Sequence, residues 1–456
     1  MNPNRGFDSD AASGSGLQRS VAARRWLPRW APHLLPKRGA NMHQIVGEFG
    51  FQPKKIRIVV VLIGIALMCV ASFQSYAASD TNGPGACTIV LKPLVIQVEF
   101  PGTWSSITTR SVKEKFLNEL DEYIQEMSYG RVCVRGVVTE KWYKLPNPVS
   151  HYSVPWQNQQ VNRSNLRNLV SDSLNAADQD IDVSKYDFVI VALGATFKEW
   201  GNNGVAAYPG MLGWRSDESL LTQSGRKVNR GIVVYSSTVH LGHIFHDVAH
   251  VLGGVKDGKR VLPCLYDQEL QSKSSARVGK AAQEARRDAQ IHMGEWDVMS
   301  CNNCPYRPGT PGISSWTKLR LGWLEPSKIR TVSPGEKVEV VLGSLEDASS
   351  QTMVIKIPLT DTTYYLVENR QHIGRDKYLP GTGVLIMYAD DKIAESRHGQ
   401  GPVRLVNANP TVPHLEGAAF DLDKNAFFAD DQNGVRIKLL KKNGRSYDIL
   451  VERTPR

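Results

Sequence analysis

Two textures divide this chain, and each permits few folds. Up to about residue 330, largely unbroken apolar runs stand between helical patterns: residues 89–100 read IVLKPLVIQVEF and end at Pro101-Gly102, residues 187–193 read DFVIVAL, and residues 232–235 form another short run. Strands with so little polar character must be covered on both faces. The cover is visible in Val112, Phe116, Leu120, Tyr123, Ile124 and Met127, whose three- and four-residue spacing predicts an amphipathic helix ending before Gly130. Residues 166–177 predict a second helix, and a strand is expected around residues 132–138. Strands alternating with helices predict an α/β (α+β) domain. Beyond residue 331 the runs become short and alternating, at 338–341, 353–357, 364–368, 383–388, 403–406, 435–440 and 447–451, separated by Gly, Pro, Asn and Asp. With hardly any helix between them, they predict an antiparallel β-sandwich. The expected organisation is therefore an N-terminal segment at 1–77, an α/β domain at 78–328 and an all-β sandwich at 329–456.

The net charge of +10 would point to nucleic acid if it were spread over the chain. It is not: residues 1–77 hold ten Lys/Arg against three acids, leaving +3 for the rest. Lys54, Lys55 and Arg57 precede an apolar run at 58–71, which is followed by Ser75-Tyr76-Ala77. Charged residues, an apolar run of about 7–15 residues and a small-x-small end predict a secretory signal peptide cleaved near Ala77. The alternative is an uncleaved signal-anchor, which would leave the protein tethered to a membrane. No nucleic-acid partner is expected, and a monomer is.

Six cysteines include Cys69 inside the apolar run, leaving Cys87, Cys133, Cys264, Cys301 and Cys304. In an oxidising compartment an odd number leaves at least one thiol unpaired or bound to metal. If Cys87 pairs with Cys133 and Cys301 with Cys304, Cys264 is free. If Cys264 pairs with Cys301 or Cys304, it is lost as a ligand.

Residues 237–254 read STVHLGHIFHDVAHVLGG. Ser236 or Ser237 can cap a helix there and Gly253-Gly254 can end it. His246 and His250, four apart, then share one face and can reach one ion. A carboxylate beside the first histidine is where a metallopeptidase keeps its proton acceptor, and that position holds Asp247. His240, His243 and His292 read as capping or solvated histidines that can also brace the ligands. Residues 275–290 read as a solvated helix. Asp421 and Asp423 resemble the opening of a calcium loop, but Ala426 and Gln432 occupy its required glycine and glutamate positions, so calcium would need other loop carboxylates.

Trp296-Asp297-Val298-Met299-Ser300, then residues 312–323 (GISSWTKLRLGW), together with Ser128-Tyr129-Gly130, residues 142–146, residues 365–370 and Leu379-Pro380-Gly381, resemble the immune inhibitor A family of secreted metallopeptidases. The resemblance implies a metzincin-like catalytic domain binding zinc through His246 and His250, with Met299 in a methionine turn beneath the metal. It implies a zinc-dependent endopeptidase acting on protein or peptide. Two positions depart from the family: Asp247 replaces the usual glutamate, and Lys256 stands where the third ligand is expected. Asp257 is the nearest substitute, with Cys264 as the alternative. Those departures also motivate a second reading, a weak or inactive pseudopeptidase that acts by binding.

Overall fold

The computed structural model describes residues 87–455, apart from 106, 154–162, 202–206, 213–219, 275–283, 285 and 303–308. Residues 1–77, where a signal peptide and its cleavage near Ala77 are expected, lie outside the described residues, as do Cys304 and most of 275–290. Among the described residues, no helix is long and apolar enough to cross a membrane. Residues 80–456 form one compact unit.

The first apolar run is two strands. β1 (Ile89–Leu91) pairs in parallel with β3 (Val132–Val134), while β2 (Pro93–Glu99) enters the central sheet. Cys87 and Cys133 are joined by a disulfide at this edge. The central sheet contains β4 (Val137–Val138), β2, β6 (Phe188–Leu193), β8 (Gly231–Tyr235) and β7 (Ala207–Met211) in that order, with β5 (Tyr143–Lys144) also pairing with β2. All these pairings are parallel except that of the edge strand β7 with β8.

Alternate side chains of each strand feed two cores, as the period of two demands. Phe188, Ile190 and Ala192 face the same core as α1 (Thr109–Lys113) and α2 (Glu119–Met127), which are joined by a π-helical turn, and α4 (Leu241–Gly253). Val189, Val191 and Leu193 face the other core, with α3 (Arg163–Ala177). This is a three-layer α/β arrangement.

The C-terminal region is β-rich. Hairpin β9 (Val255–Lys256) and β10 (Lys259–Arg260) and helix α5 (Ser315–Arg320) lead into it. One sheet runs β11 (Ile329–Thr331), β13 (Val354–Pro358), β14 (Thr363–Arg370), β15 (Gly383–Asp390), β16 (Val403–Leu405). The other runs β12 (Lys337–Leu342), β19 (Ser446–Arg453), β18 (Val435–Asn443), β17 (Phe427–Asp430). The two share one core that includes Ile355, Tyr365, Val367, Ile437 and Ile449. All pairings within them are antiparallel except β11 with β13.

The opposite face of the five-stranded sheet, through Val354, Leu366, Leu385 and Met387, belongs to the same core as α2 and α4. The change of texture near residue 329 is therefore not a break in packing. Buried polar groups cross the same junction. Arg370, fully buried, pairs with Glu368 at 3.0 Å and Asp376 at 2.6 Å and donates to the Trp296 carbonyl at 3.2 Å. Lys318 Nζ donates to the Met127 carbonyl at 2.7 Å and lies 4.4 Å over the Tyr129 ring. Tyr129 OH reaches the Leu345 carbonyl at 2.7 Å. The sequence segments 128–130, 296–300, 312–323 and 365–370 thus converge on one buried polar network.

Candidate metal centre

Helix α4 begins later than its serines indicate: His240 is the N-cap, its Nδ1 accepting from Gly242 N at 3.2 Å. The helix is buried nearly all round, which explains its apolar content. It ends at Gly253-Gly254, and Gly253 allows a close approach there, since a Cβ would sit 3.0 Å from Leu262 Cβ and push it back. That approach delivers the following segment to the helix. His250 Nδ1 lies 2.6 Å from the Leu262 carbonyl, and His246 Nδ1 lies 3.3 Å from the Val298 carbonyl.

A carbonyl only accepts, so each Nδ1 carries the proton and each Nε2 presents a lone pair. The two Nε2 atoms are 3.0 Å apart. Cys264 Sγ is 3.5 Å from His246 Nε2 and 3.4 Å from His250 Nε2, and all three residues are buried. An S–H can serve one nitrogen and leaves the other facing a lone pair, whereas a cation answers all three atoms. Tetrahedral zinc, with Zn–N of about 2.0–2.1 Å and Zn–S of about 2.3 Å, requires N···N near 3.3 Å and N···S near 3.6 Å. The donor set fits.

Burial lowers the pKa of both histidines to about 4, against smaller raising contacts from the Val298 carbonyl and from Cys264 respectively, so both rings are neutral ligands at pH 7. Burial pushes the Cys264 thiol up, but the Arg260 guanidinium, His250 and Tyr266 outweigh it and bring it down to about 7. Arg260 Nη1 is 3.8 Å from the sulfur, and its Nε and Nη2 bind Glu395 at 3.0 and 2.5 Å. Ser396 Oγ donates to the Cys264 carbonyl at 2.9 Å. Tyr266 places its hydroxyl 3.2 Å from Cys264 Sγ and stacks on His246, with centroids 5.8 Å apart. Cys264 is the free cysteine among the described residues, and Cys301 is disulfide-bonded.

Asp257, weighed as the third ligand, is not brought to the histidines. It forms with Gly258 the two-residue turn of hairpin β9–β10, with φ of 52° and 70°. Such a pair of positive φ angles suits Asp-Gly and closes a tight hairpin. The turn leaves Asp257 exposed at its tip, and the returning strand carries the chain to Leu262 and Cys264. Lys256 is exposed beside it. The Asp-Gly pair is the sequence signal for this hairpin. Arg260 and Glu395, 135 residues apart, have none.

Asp247 is buried, 7% exposed. Burial, then the nearby Cys264, push its carboxyl well up, with Arg260 opposing. Met299 is fully buried, and its carbonyl accepts from Leu265 N at 2.9 Å, tying the turn to the Cys264 segment. Asp297 fixes that turn, accepting from Met299 N at 2.7 Å, Ser314 N at 2.8 Å, Ser314 Oγ at 2.5 Å and Thr317 Oγ1 at 2.7 Å. His243 is half-buried with its Nδ1 unbonded, and His292 is buried but is not part of the His246–His250–Cys264 group.

Neither a protein-family profile nor a curated protein matches the chain. Among solved structures, metalloproteinase-II from Bacteroides fragilis matches with 10% identity and a TM-score of 0.23, over 39% of this chain and 46% of that one. The chain thus spans less than half of that protein, and a TM-score so low fixes neither fold nor chemistry.

Proposed function

We propose that the chain is a secreted, metzincin-like zinc endopeptidase whose metal is held by His246, His250 and Cys264. The observation that carries the reading is the meeting of two Nε2 lone pairs and one thiolate-forming sulfur in a buried site, with both Nδ1 atoms committed to carbonyls. Three protein ligands leave a fourth position for water or substrate, the pattern of catalytic zinc. When bound, zinc polarises a scissile carbonyl and acidifies a water. Asp247 takes up a proton and returns it to the leaving amine. Its raised pKa favours uptake of the proton over its return, and the aspartate side chain, one methylene shorter than glutamate, reaches less far toward the water, so a slow enzyme is expected. Tyr266 stands at the sulfur and positions His246 by stacking. Met299 packs beneath the ligands without binding. The Cys87–Cys133 disulfide supports an oxidising, extracellular setting. The substrate is a protein or peptide.

Zinc content and hydrolysis of an unfolded protein by the purified chain test the reading. One bound zinc and chelator-sensitive hydrolysis are expected. Asp247→Glu should raise turnover by extending the carboxylate toward the reacting water. A fully zinc-loaded protein inert both as wild type and as Asp247→Glu would transfer the assignment to a pseudopeptidase that acts by binding.

A further inference from the structure

We propose that the C-terminal sandwich carries a second binding site, for a neutral sugar chain, in a cleft of about 730 Å³ beside the edge strands β16 and β17. The cleft is lined by residues of both sheets, among them Tyr365, Tyr388, Phe428, Arg404, Asp430 and Asn433. None of them belongs to the metal cluster, so the site stands independently of the peptidase reading.

The walls are aromatic and held in place. Tyr365 meets Tyr388 edge-on, with centroids 5.6 Å apart at 73°, and Phe428 at 5.3 Å and 70°. The polar groups are equally preset. Asp430 Oδ2 accepts from Tyr365 OH at 2.9 Å and from Asn433 Nδ2 at 2.6 Å, and Oδ1 accepts from Asn433 N at 3.1 Å. Arg404, exposed on β16, lies 4.7 Å over the Tyr388 ring, opposite which it is paired in the sheet.

The volume falls in the ~300–1,000 Å³ range of small-ligand sites, which combine apolar walls with a few fixed polar groups. The chemistry narrows the ligand further. Asp430 and Arg404 bring opposite charges to the lining, so the cleft has no single sign of charge that would select an ion. A neutral polyol uses both groups, one as acceptor and one as donor. Sugars also present C–H faces that pack on aromatic rings while their hydroxyl rims reach planar polar side chains.

Calorimetric titration of the full chain with neutral oligosaccharides of differing linkage, and with an acidic oligosaccharide as control, tests the proposal. At least one neutral sugar should bind with a Kd of about 1 mM or tighter, and Tyr388→Ala and Arg404→Ala should each weaken it about tenfold. Arg404→Ala should keep the wild-type melting temperature, and both variants the zinc content. Arg404→Ala, at an exposed position, keeps the test decisive if Tyr388→Ala misfolds. No binding of any neutral sugar, preference for the acidic one, or binding indifferent to Arg404→Ala would overturn it.

Discussion

Asp297 offers the most exacting test of how the metal site is supported, because its contacts permit the cost of one atom to be worked out. Its two oxygens accept four hydrogen bonds, two of them from the backbone amides of Met299 and Ser314. Asp297→Asn keeps the shape but leaves a single acceptor oxygen. The hydroxyls of Ser314 and Thr317 can rotate to accept from the new NH2 group, but neither backbone amide can. One buried N–H must therefore face a donor, at about 1–3 kcal/mol, and the surviving bonds lose the extra strength of a charged acceptor. Relief of the buried charge offsets part of this, for a net loss of about 2–4 kcal/mol. Urea unfolding should show the midpoint falling at unchanged slope. The same change should reach the site, since the loosened turn holds the Val298 carbonyl that orients His246. Loss of such outer support typically weakens metal affinity by about 10–100-fold, readable by competition with a chromophoric chelator. An unchanged midpoint would refute the hydrogen-bond reckoning. A lowered midpoint with unchanged zinc affinity would refute the link from Asp297 through Val298 to His246.

Cys264→Ser should weaken zinc binding by at least the ~10–100-fold of an outer-shell loss, whereas Asp257→Ala should leave zinc stoichiometry untouched; the opposite outcome restores Asp257 as the ligand. The metal-free protein should lose stability on acidification, because burial lowers the pKa of His243 to about 3 and of His246 and His250 to about 4. Between about pH 6.5 and those values the unfolded chain binds more protons than the folded one. Stability therefore falls by up to about 1.4 kcal/mol per pH unit for each histidine, and equal urea midpoints at pH 7 and 5 would contradict it. Glu395→Gln keeps one acceptor for Arg260 on the partly exposed side of the pair and should cost about 1–2 kcal/mol. It should also change the rate at which a thiol reagent modifies Cys264 in the metal-free protein, and an unchanged rate would separate Arg260 from the sulfur.

What was legible in the sequence was whatever local periodicity encodes. Each of the seven short runs beyond residue 331 coincides with a strand, and the spacing of Val112 to Met127 marks a helical face that is buried. The histidine pair was legible because four residues make about one helical turn. Between Asp257 and Cys264, both offered by the sequence, residue counting from Gly253 favoured the wrong neighbour of the histidines, because it presumes a chain that keeps going, whereas Asp257-Gly258 turns it back on itself and Cys264 is the one brought to them. The same limit hid β17, whose Phe427 is exposed and Phe428 half-buried, so that its alternation is weak. It also hid the role of Glu368 and Arg370, which look like the polar end of a strand and are fully buried.

That burial explains why the change of texture at residue 329 is not matched by a break in packing. A strand whose two faces serve different cores has no solvent side on which to place charge, so its charged residues must find partners across the junction. Arg370 finds Asp376 and the Trp296 carbonyl, and Glu368 accepts from Ser315 N at 2.6 Å, at the start of the helix that Asp297 also anchors. The β-rich region is thereby bonded to the turn that carries Met299 and Val298. Glu395 and Ser396 brace the Cys264 segment from the same region. A chain cut at residue 328 would leave Asp297 with its local partners but strip Trp296, Ser315 and Arg260 of theirs. The truncated α/β part should therefore fail to hold zinc even though it contains His246, His250 and Cys264.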